Sequence, residues 1–175
     1  MTAIIGFVHN DIAYIAGERG NSDEDIIVPS LCPKVFNIGP YAYGYAGSSG
    51  VGQMIAYTFN FPRPANNIDI HKFLLGVFIP ALRKHLKDAH IDTDKEEDAT
   101  DILLGYKGRI FEISTYDFQC VEYSITAIGS GNQITLGAYH VLESHNDPLY
   151  IARTCIEAAN RFSTTCGGTI DIIYS

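Results

Sequence analysis

The sequence is short of positive charge and of long apolar runs. Lys and Arg number 12 against 20 Asp and Glu, for a formal net charge of −8. So acidic a chain is a poor match for nucleic acid or an anionic membrane surface, and neither is expected as a partner. No apolar run reaches the ~18 residues that span a bilayer, and the first residues lack the basic region of a signal peptide. The four cysteines (Cys32, Cys120, Cys155, Cys166) form no C-x-x-C pair. Without a signal peptide they read as reduced thiols, and the expected location is cytoplasmic. The six histidines show no metal-binding spacing, since His85 and His90 stand five apart, off a shared helix face. The acidic run from Asp92 to Asp98 has Glu97 where a calcium loop needs Gly at its sixth position, and Leu103 where it needs Glu at its twelfth. It reads as a solvated turn.

What the chain does have is enough apolar material for one full core. It is 175 residues long, 46% apolar and 18% charged, which fits a single domain over 1–175. No internal repeat, linker or low-complexity segment divides it. Residues 2–8 and 12–16 are short apolar runs around the turn His9-Asn10-Asp11, a hairpin pattern. Residues 17–33 read as a loop with an apolar patch at Ile26-Ile27-Val28. Strands follow at 34–38 and 41–46 about the turn Gly39-Pro40. Val51, Met54, Ile55 and Thr58 then recur at helical spacing, with Ser48 or Ser49 as N-cap. Pro62 and Pro64 mark a loop, and Asp69 caps a second helix. Ile70, Phe73, Leu74, Val77, Phe78, Ala81, Leu82 and Leu86 form its apolar stripe. Pro80 lies within that stripe and predicts a kink or break. Strands return at 101–106 and 109–114 about Lys107-Gly108, then at 119–123 and 125–128. A helix opens at Gly129-Ser130-Gly131 and runs to about Leu142. Another begins at Asp147-Pro148, and a strand closes the chain over 169–174. Hairpin-connected strands in two groups, each followed by two helices, predict an α+β sandwich of largely antiparallel sheets.

The start of the chain carries the first chemical signal. Thr2 follows Met1 directly and opens an apolar strand. Methionine aminopeptidases remove Met before a small residue, and removal here would give Thr2 a free α-amine beside its own hydroxyl. A nucleophile and a base would then share one residue.

Sixteen residues on from Thr2 stands Glu18, and thirty-two on stands Lys34, followed by Val35. Ala46-Gly47-Ser48 is a glycine turn, Ala127-Ile128-Gly129-Ser130-Gly131 precedes a helix, and Cys166-Gly167-Gly168 precedes the last strand. Together these resemble the N-terminal nucleophile (Ntn) hydrolases, and within them the HslV protease and proteasome β subunits. The resemblance spans nearly the whole chain, and the joint spacing is its specific part. It implies a four-layer αββα sandwich. It implies a threonine-type endopeptidase working inside a homo-oligomeric ring on unfolded polypeptides, either fed by an ATP-dependent unfoldase or as a stand-alone ring of the bacterial Anbu type. It also implies roles. Thr2 would be the nucleophile, and its amine the base. Lys34 would depress that amine's pKa and stabilise the alkoxide. Glu18 would hold Lys34, and Ser130 would hydrogen-bond the amine. The turn at Gly47 and Ser48 would offer a backbone N–H to the oxyanion, worth ~3 kcal/mol in such sites. Asn21, Cys32, Phe36 and Ala46 fall where the family lines its specificity pocket. Asn160, Ser163 and Cys166 fall where HslV backbone carbonyls bind sodium. No cofactor is needed for the cleavage itself.

Two departures stand out. The family acid is usually Asp, and Glu18 carries its carboxylate about 1.5 Å further out. Ser163 and Cys166 stand where the proteasome has a supporting Asp and Ser. A ring-forming subunit without activity and a small-molecule amidase are the alternatives, because the former needs no removal of Met1 and other members of the fold cleave non-peptide amides.

Small Ala46 leaves room for a sizeable apolar side chain. Short fluorogenic peptides are therefore expected to be cut after apolar residues, and a preference for acidic residues before the cleaved bond would refute the pocket assignment.

Overall fold

The structure is a computed structural model describing residues 2–23, 26–93, 95 and 98–175. Expectations that fall on Met1, and on Asp94, Glu96 and Glu97 of the acidic run, lie outside these residues. β1 (Ile4–His9) and β2 (Ile12–Glu18) form the first hairpin. Their turn places Asn10 and Asp11 at φ 49° and 59°, the left-handed pair that suits a two-residue hairpin. β1 begins two residues later than its apolar run suggests, which leaves Thr2 and Ala3 ahead of the strand. The 17–33 segment expected as loop contains the last residues of β2 and a short hairpin, β3 (Asn21–Asp23) and β4 (Ile26–Val28). Three-residue strands are too short to leave a periodic signal.

β5 (Val35–Ile38), β6 (Tyr41–Gly47), β7 (Thr100–Tyr106), β8 (Arg109–Ser114) and β9 (Cys120–Tyr123) build one antiparallel sheet in sequence order. The other sheet runs β10-β1-β2-β11, with β10 at Ile125–Ile128 and β11 at Ile170–Tyr174, also antiparallel throughout. Side-chain alternation decides what each face meets. In β6, Tyr41, Tyr43 and Tyr45 point to α1 (Ser49–Thr58) and to the helical stretch 70–88. There they are buried with Val51, Ile55, Phe78 and Leu82. Ala42 and Ala46 point the other way, into a thin layer between the sheets with Ile4, Ile15, Leu103 and Ile128. Ile5 and Phe7 leave the opposite face of β1 and pack against α4 (Asn132–Leu142) and α5 (Pro148–Phe162), whose Ile151, Cys155, Ile156 and Ala159 are buried. The result is helices, sheet, sheet, helices: the αββα sandwich.

The interruption expected at Pro80 takes the form of a wider turn just ahead of it. α2 (Ile70–Phe73) passes through a π turn at Leu74–Phe78, where the Ile79 N–H donates to the Leu74 carbonyl, into α3 (Ile79–Asp88). Pro80 thus sits in the first turn of α3, where a missing N–H is tolerated. Ser48 occupies the N-cap of α1, but no hydrogen bond from that cap ties down its side chain. Asp69 and Asp147 do cap their helices, each accepting two backbone N–H groups. Among the described residues no helix is long and apolar enough to cross a membrane.

The Asp147 cap orients α5, the longest helix over the β10-β1-β2-β11 sheet. Asp147→Ala is expected to lower stability by about 1 kcal/mol in urea unfolding, with an unchanged slope; an unchanged midpoint would show the cap to be idle.

Candidate active site

β1 runs between β10 and β2, with Ile4 paired to Ile128 on one side and to Gly17 on the other. That register puts Thr2 between the end of β2 and the turn that follows β10. The turn grips it from the backbone. The Gly131 N–H donates to the Thr2 carbonyl at 3.2 Å, and the Thr2 N–H donates to Ser130 Oγ at 3.3 Å. Gly129 turns the chain at φ +86°, and a Cβ there would lie 2.2 Å from the Thr2 oxygen, so only glycine fits.

Lys34 stands just before β5, with its carbonyl accepting the Tyr45 N–H at 3.1 Å. Its Nζ donates to Thr2 Oγ1 at 2.9 Å, to Glu18 Oε1 at 3.0 Å and to the Gly20 carbonyl. An ammonium has three N–H groups, and these three acceptors match them. The pair is dry: Lys34 is 3% exposed and Glu18 0%. Glu18 Oε1 also accepts the Ala3 N–H at 3.3 Å, and Oε2 accepts the Gly20 N–H. The longer side chain thus reaches Lys34 while curling back to the backbone two residues on. Gly20 is fixed in turn, because its N–H also donates to the Gly167 carbonyl at 2.7 Å. The neighbouring Arg19 clamps Asp171 through both carboxylate oxygens at 2.6 Å. That hydrogen-bonded carboxylate raises the Arg19 pKa above its ordinary value, against the opposing effect of burial.

The turn after β6 presents Gly47 at φ +110°. The Ser48 N–H is taken by the Ala99 carbonyl at 3.2 Å. Hydrogen-bonding direction alternates along a strand, so the Gly47 N–H faces the opposite side, past the end of β5 where Lys34 stands.

The remaining expected residues differ in exposure and in the face they occupy. Asn21 and Cys32 are exposed. Phe36 packs on the helix side of its sheet against Tyr45 (6.5 Å, stacked) and Tyr57 (5.5 Å, edge-on). Ala46 leaves the sheet on the other face, 2% exposed. Phe36 and Ala46 thus lie on opposite faces of their sheet. Burial raises the Tyr45 phenol above its ordinary pKa, while a hydrogen bond with Gln53 opposes this and Cys32, Tyr57 and Glu18 add to it. A cavity of about 590 Å³ between Arg83, Lys87 and Phe118 lies at the end of α3, away from Thr2.

Asn160, Ser163 and Cys166 lie in the last turns of α5 and the loop after it. Asn160 Nδ2 donates to the Gly168 carbonyl at 3.2 Å. Its Oδ1 is buried with no hydrogen-bond partner among the described groups. Backbone carbonyls plus an orphaned amide oxygen are hard donors, which fits an alkali cation. Among the described residues no three His, Cys, Asp or Glu side chains group as a metal site. Two residues escaped the sequence reading. Gly20 is one, as a ligand to Lys34 through its backbone, which no side-chain pattern reveals. Thr165 is the other, 2.9 Å from Ser130 Oγ; the hydroxyl-rich run Ser163-Thr164-Thr165 was its only signal.

A buried threonine, hydrogen-bonded by a paired lysine, thus stands at the head of an αββα sandwich with an HslV-like fold. Structural comparison agrees. The fold matches Thiobacillus denitrificans BPH solved in complex with epoxomicin, with TM-score 0.81 at 19% identity over 99% of this chain and 97% of that one. It matches BPH alone with TM-score 0.80 at 18% identity over 99% and 97%. It also matches the eukaryotic HslV of Trypanosoma brucei, with TM-score 0.71 at 18% identity over 98% of both chains. The likeness is one of fold. No protein-family model matches the sequence, and comparison with curated proteins finds no match.

Removing Lys34 would leave the buried Glu18 charge uncompensated. Lys34→Met is expected to lower stability by about 3–5 kcal/mol, and adding Glu18→Gln to recover part of that loss. A stability indifferent to Lys34→Met would mean that the pair is solvated.

Proposed function

We propose that the protein is a threonine-type endopeptidase subunit of an HslV/proteasome-like ring, with Thr2 as nucleophile once Met1 is removed. The observation that carries this reading is the Lys34 ammonium 2.9 Å from Thr2 Oγ1 in a dry site. A cation there favours the alkoxide and disfavours protonation of the neighbouring α-amine, whose ordinary pKa is about 7.7–8.0. In the proposed cycle the amine takes the proton from Oγ1 as that oxygen attacks the substrate carbonyl. Gly47 N–H stabilises the resulting oxyanion. The amine then protonates the leaving nitrogen, and a water, deprotonated by the same amine, hydrolyses the ester. Glu18 keeps Lys34 in place, and Ser130 holds the amine.

A sodium ion, if bound, would be held by carbonyl oxygens of Asn160, Ser163 and Cys166, and would brace the loop behind Ser130. Asn21, Cys32, Phe36 and Ala46 are proposed to contact the substrate from separate sides of the cleft. Support for assembly comes from the helix layer over the β10-β1-β2-β11 sheet, which exposes Val141 (78%), Phe162 (71%), Leu149 and Tyr150. Apolar side chains gathered on one layer suit burial against further copies. Such a ring would act in the cytoplasm on unfolded polypeptides, with an ATP-dependent unfoldase as a partner of the HslV-like version.

Intact mass is expected to show loss of Met1, and epoxomicin to form an adduct on Thr2. Thr2→Ala should abolish the adduct and reduce peptide cleavage at least about a thousandfold. Retained Met1 with no adduct would instead favour a structural ring subunit.

A further inference from the structure

The guanidinium of Arg19 serves two segments at once. Its Nε and Nη2 donate to Asp171 Oδ2 and Oδ1 in β11, both at 2.6 Å, and its Nη1 donates to the Leu31 carbonyl at 2.9 Å. Only a planar fork with donors on more than one edge makes this pair of contacts without distortion. The Arg19 backbone is held as well, with its N–H on the Thr169 carbonyl at 3.0 Å. The end of β2, the start of β11 and the loop ahead of β5 are therefore joined through one side chain.

The loop gains from this because it has little else to hold it. Leu31 is 92% exposed and gives the loop no apolar anchor. The Cys32 N–H bonds locally, to Ser30 Oγ at 3.0 Å. Two residues, Cys32 and Pro33, separate Leu31 from Lys34. Pro33 has a fixed φ, and Cys32, standing before a proline, is confined to extended conformations. Few soft torsions remain between the Leu31 carbonyl and the Lys34 backbone, so a shift at Leu31 carries into Lys34. On its other side Lys34 is already fixed, since its carbonyl accepts the Tyr45 N–H at 3.1 Å. Its Nζ has little room to move, with Thr2 Oγ1 at 2.9 Å and Glu18 Oε1 at 3.0 Å in a dry site.

We propose that Arg19 is a positioning residue: by clasping Asp171 and the Leu31 carbonyl it holds the chain ahead of β5 and so keeps the Lys34 ammonium on Thr2 Oγ1. Its service to catalysis rests on the peptidase reading, whereas the clasp itself does not. The Arg19 and Asp171 side chains are 28% and 21% exposed. An ion pair so open to water contributes little to global stability. Its effect is geometric and local, which separates it from the buried Lys34–Glu18 pair that it serves.

The test observes the Lys34 ammonium directly. The full chain is labelled with ¹⁵N-lysine, and the Lys34 Nζ signal is assigned through bonds to its own backbone. A dry ammonium with three acceptors is expected to exchange its protons slowly. Arg19→Gln keeps a polar side chain but cannot both fork Asp171 and reach Leu31. It is expected to speed proton exchange at Lys34 Nζ by about tenfold, as local opening does, while the backbone amides of β1 keep their exchange rates. Unchanged exchange at Lys34 in Arg19→Gln would overturn the proposal. So would an acceleration matched by the β1 amides, which marks general loosening, or the lack of any slowly exchanging Lys34 signal in the unchanged chain. Should Arg19→Gln fail to fold, Asp171→Asn, which weakens the anchor in β11, must speed Lys34 exchange in the same selective way, and its coincidence with the unchanged chain would be equally fatal. Absence of an epoxomicin adduct on Thr2 would sink the peptidase reading alone, since the exchange measurement needs no turnover.

Discussion

The site depends on one buried ion pair. Lys34 and Glu18 are both withdrawn from water, and each is costly to bury alone. The cost is offset because every donor and acceptor of the pair finds a partner: Thr2 Oγ1, Gly20 O and Glu18 for the ammonium, and Ala3 N and Gly20 N for the rest of the carboxylate. The groups come from the residues just ahead of β1, the end of β2 with the turn after it, and the approach to β5. The pair therefore can form only when both sheets are stacked, and the threonine hydroxyl is one of the groups that completes it. Fold and site are satisfied together.

How much of this was legible beforehand varied with the kind of signal. The sandwich was readable because its signals are periodic: apolar runs in hairpins, and stripes such as Ile70-Phe73-Leu74 at helical spacing. Thr2, Glu18, Lys34 and Ser130 were readable because their separations along the chain are characteristic even though each residue is ordinary. The β3–β4 hairpin was missed because three-residue strands have no periodicity to detect. Pro80 signalled a kink or break, and the helix answers with a π turn just ahead of it that reroutes the hydrogen bonds. Gly20 escaped because it acts through its backbone. That the Ser48 N–H is engaged by Ala99 could not be told until the strand register was known.

Glu18 shows how a change in side-chain length is absorbed. Its extra methylene does not push the carboxylate past Lys34, because the side chain folds toward Gly20 and gains a backbone donor there. At the other end of the site, Ser163, Thr165 and Ser130 form a row of neutral groups behind the threonine. Charge is thus concentrated on the lysine side of Thr2, and orientable dipoles on the Ser130 side.

β11 carries a consequence of its own. Among the described residues it is an edge strand, laddered to β2 alone, and four of its five residues are only half-buried. Strands held on one side tend to fray first. The residues just ahead of it supply the Gly167 and Thr169 carbonyls that hold Gly20 and Arg19 in place. On warming, loosening of this edge would free the loop that cradles Lys34 while both cores stayed packed. The Lys34–Thr2 contact would then be lost at a lower temperature than the fold.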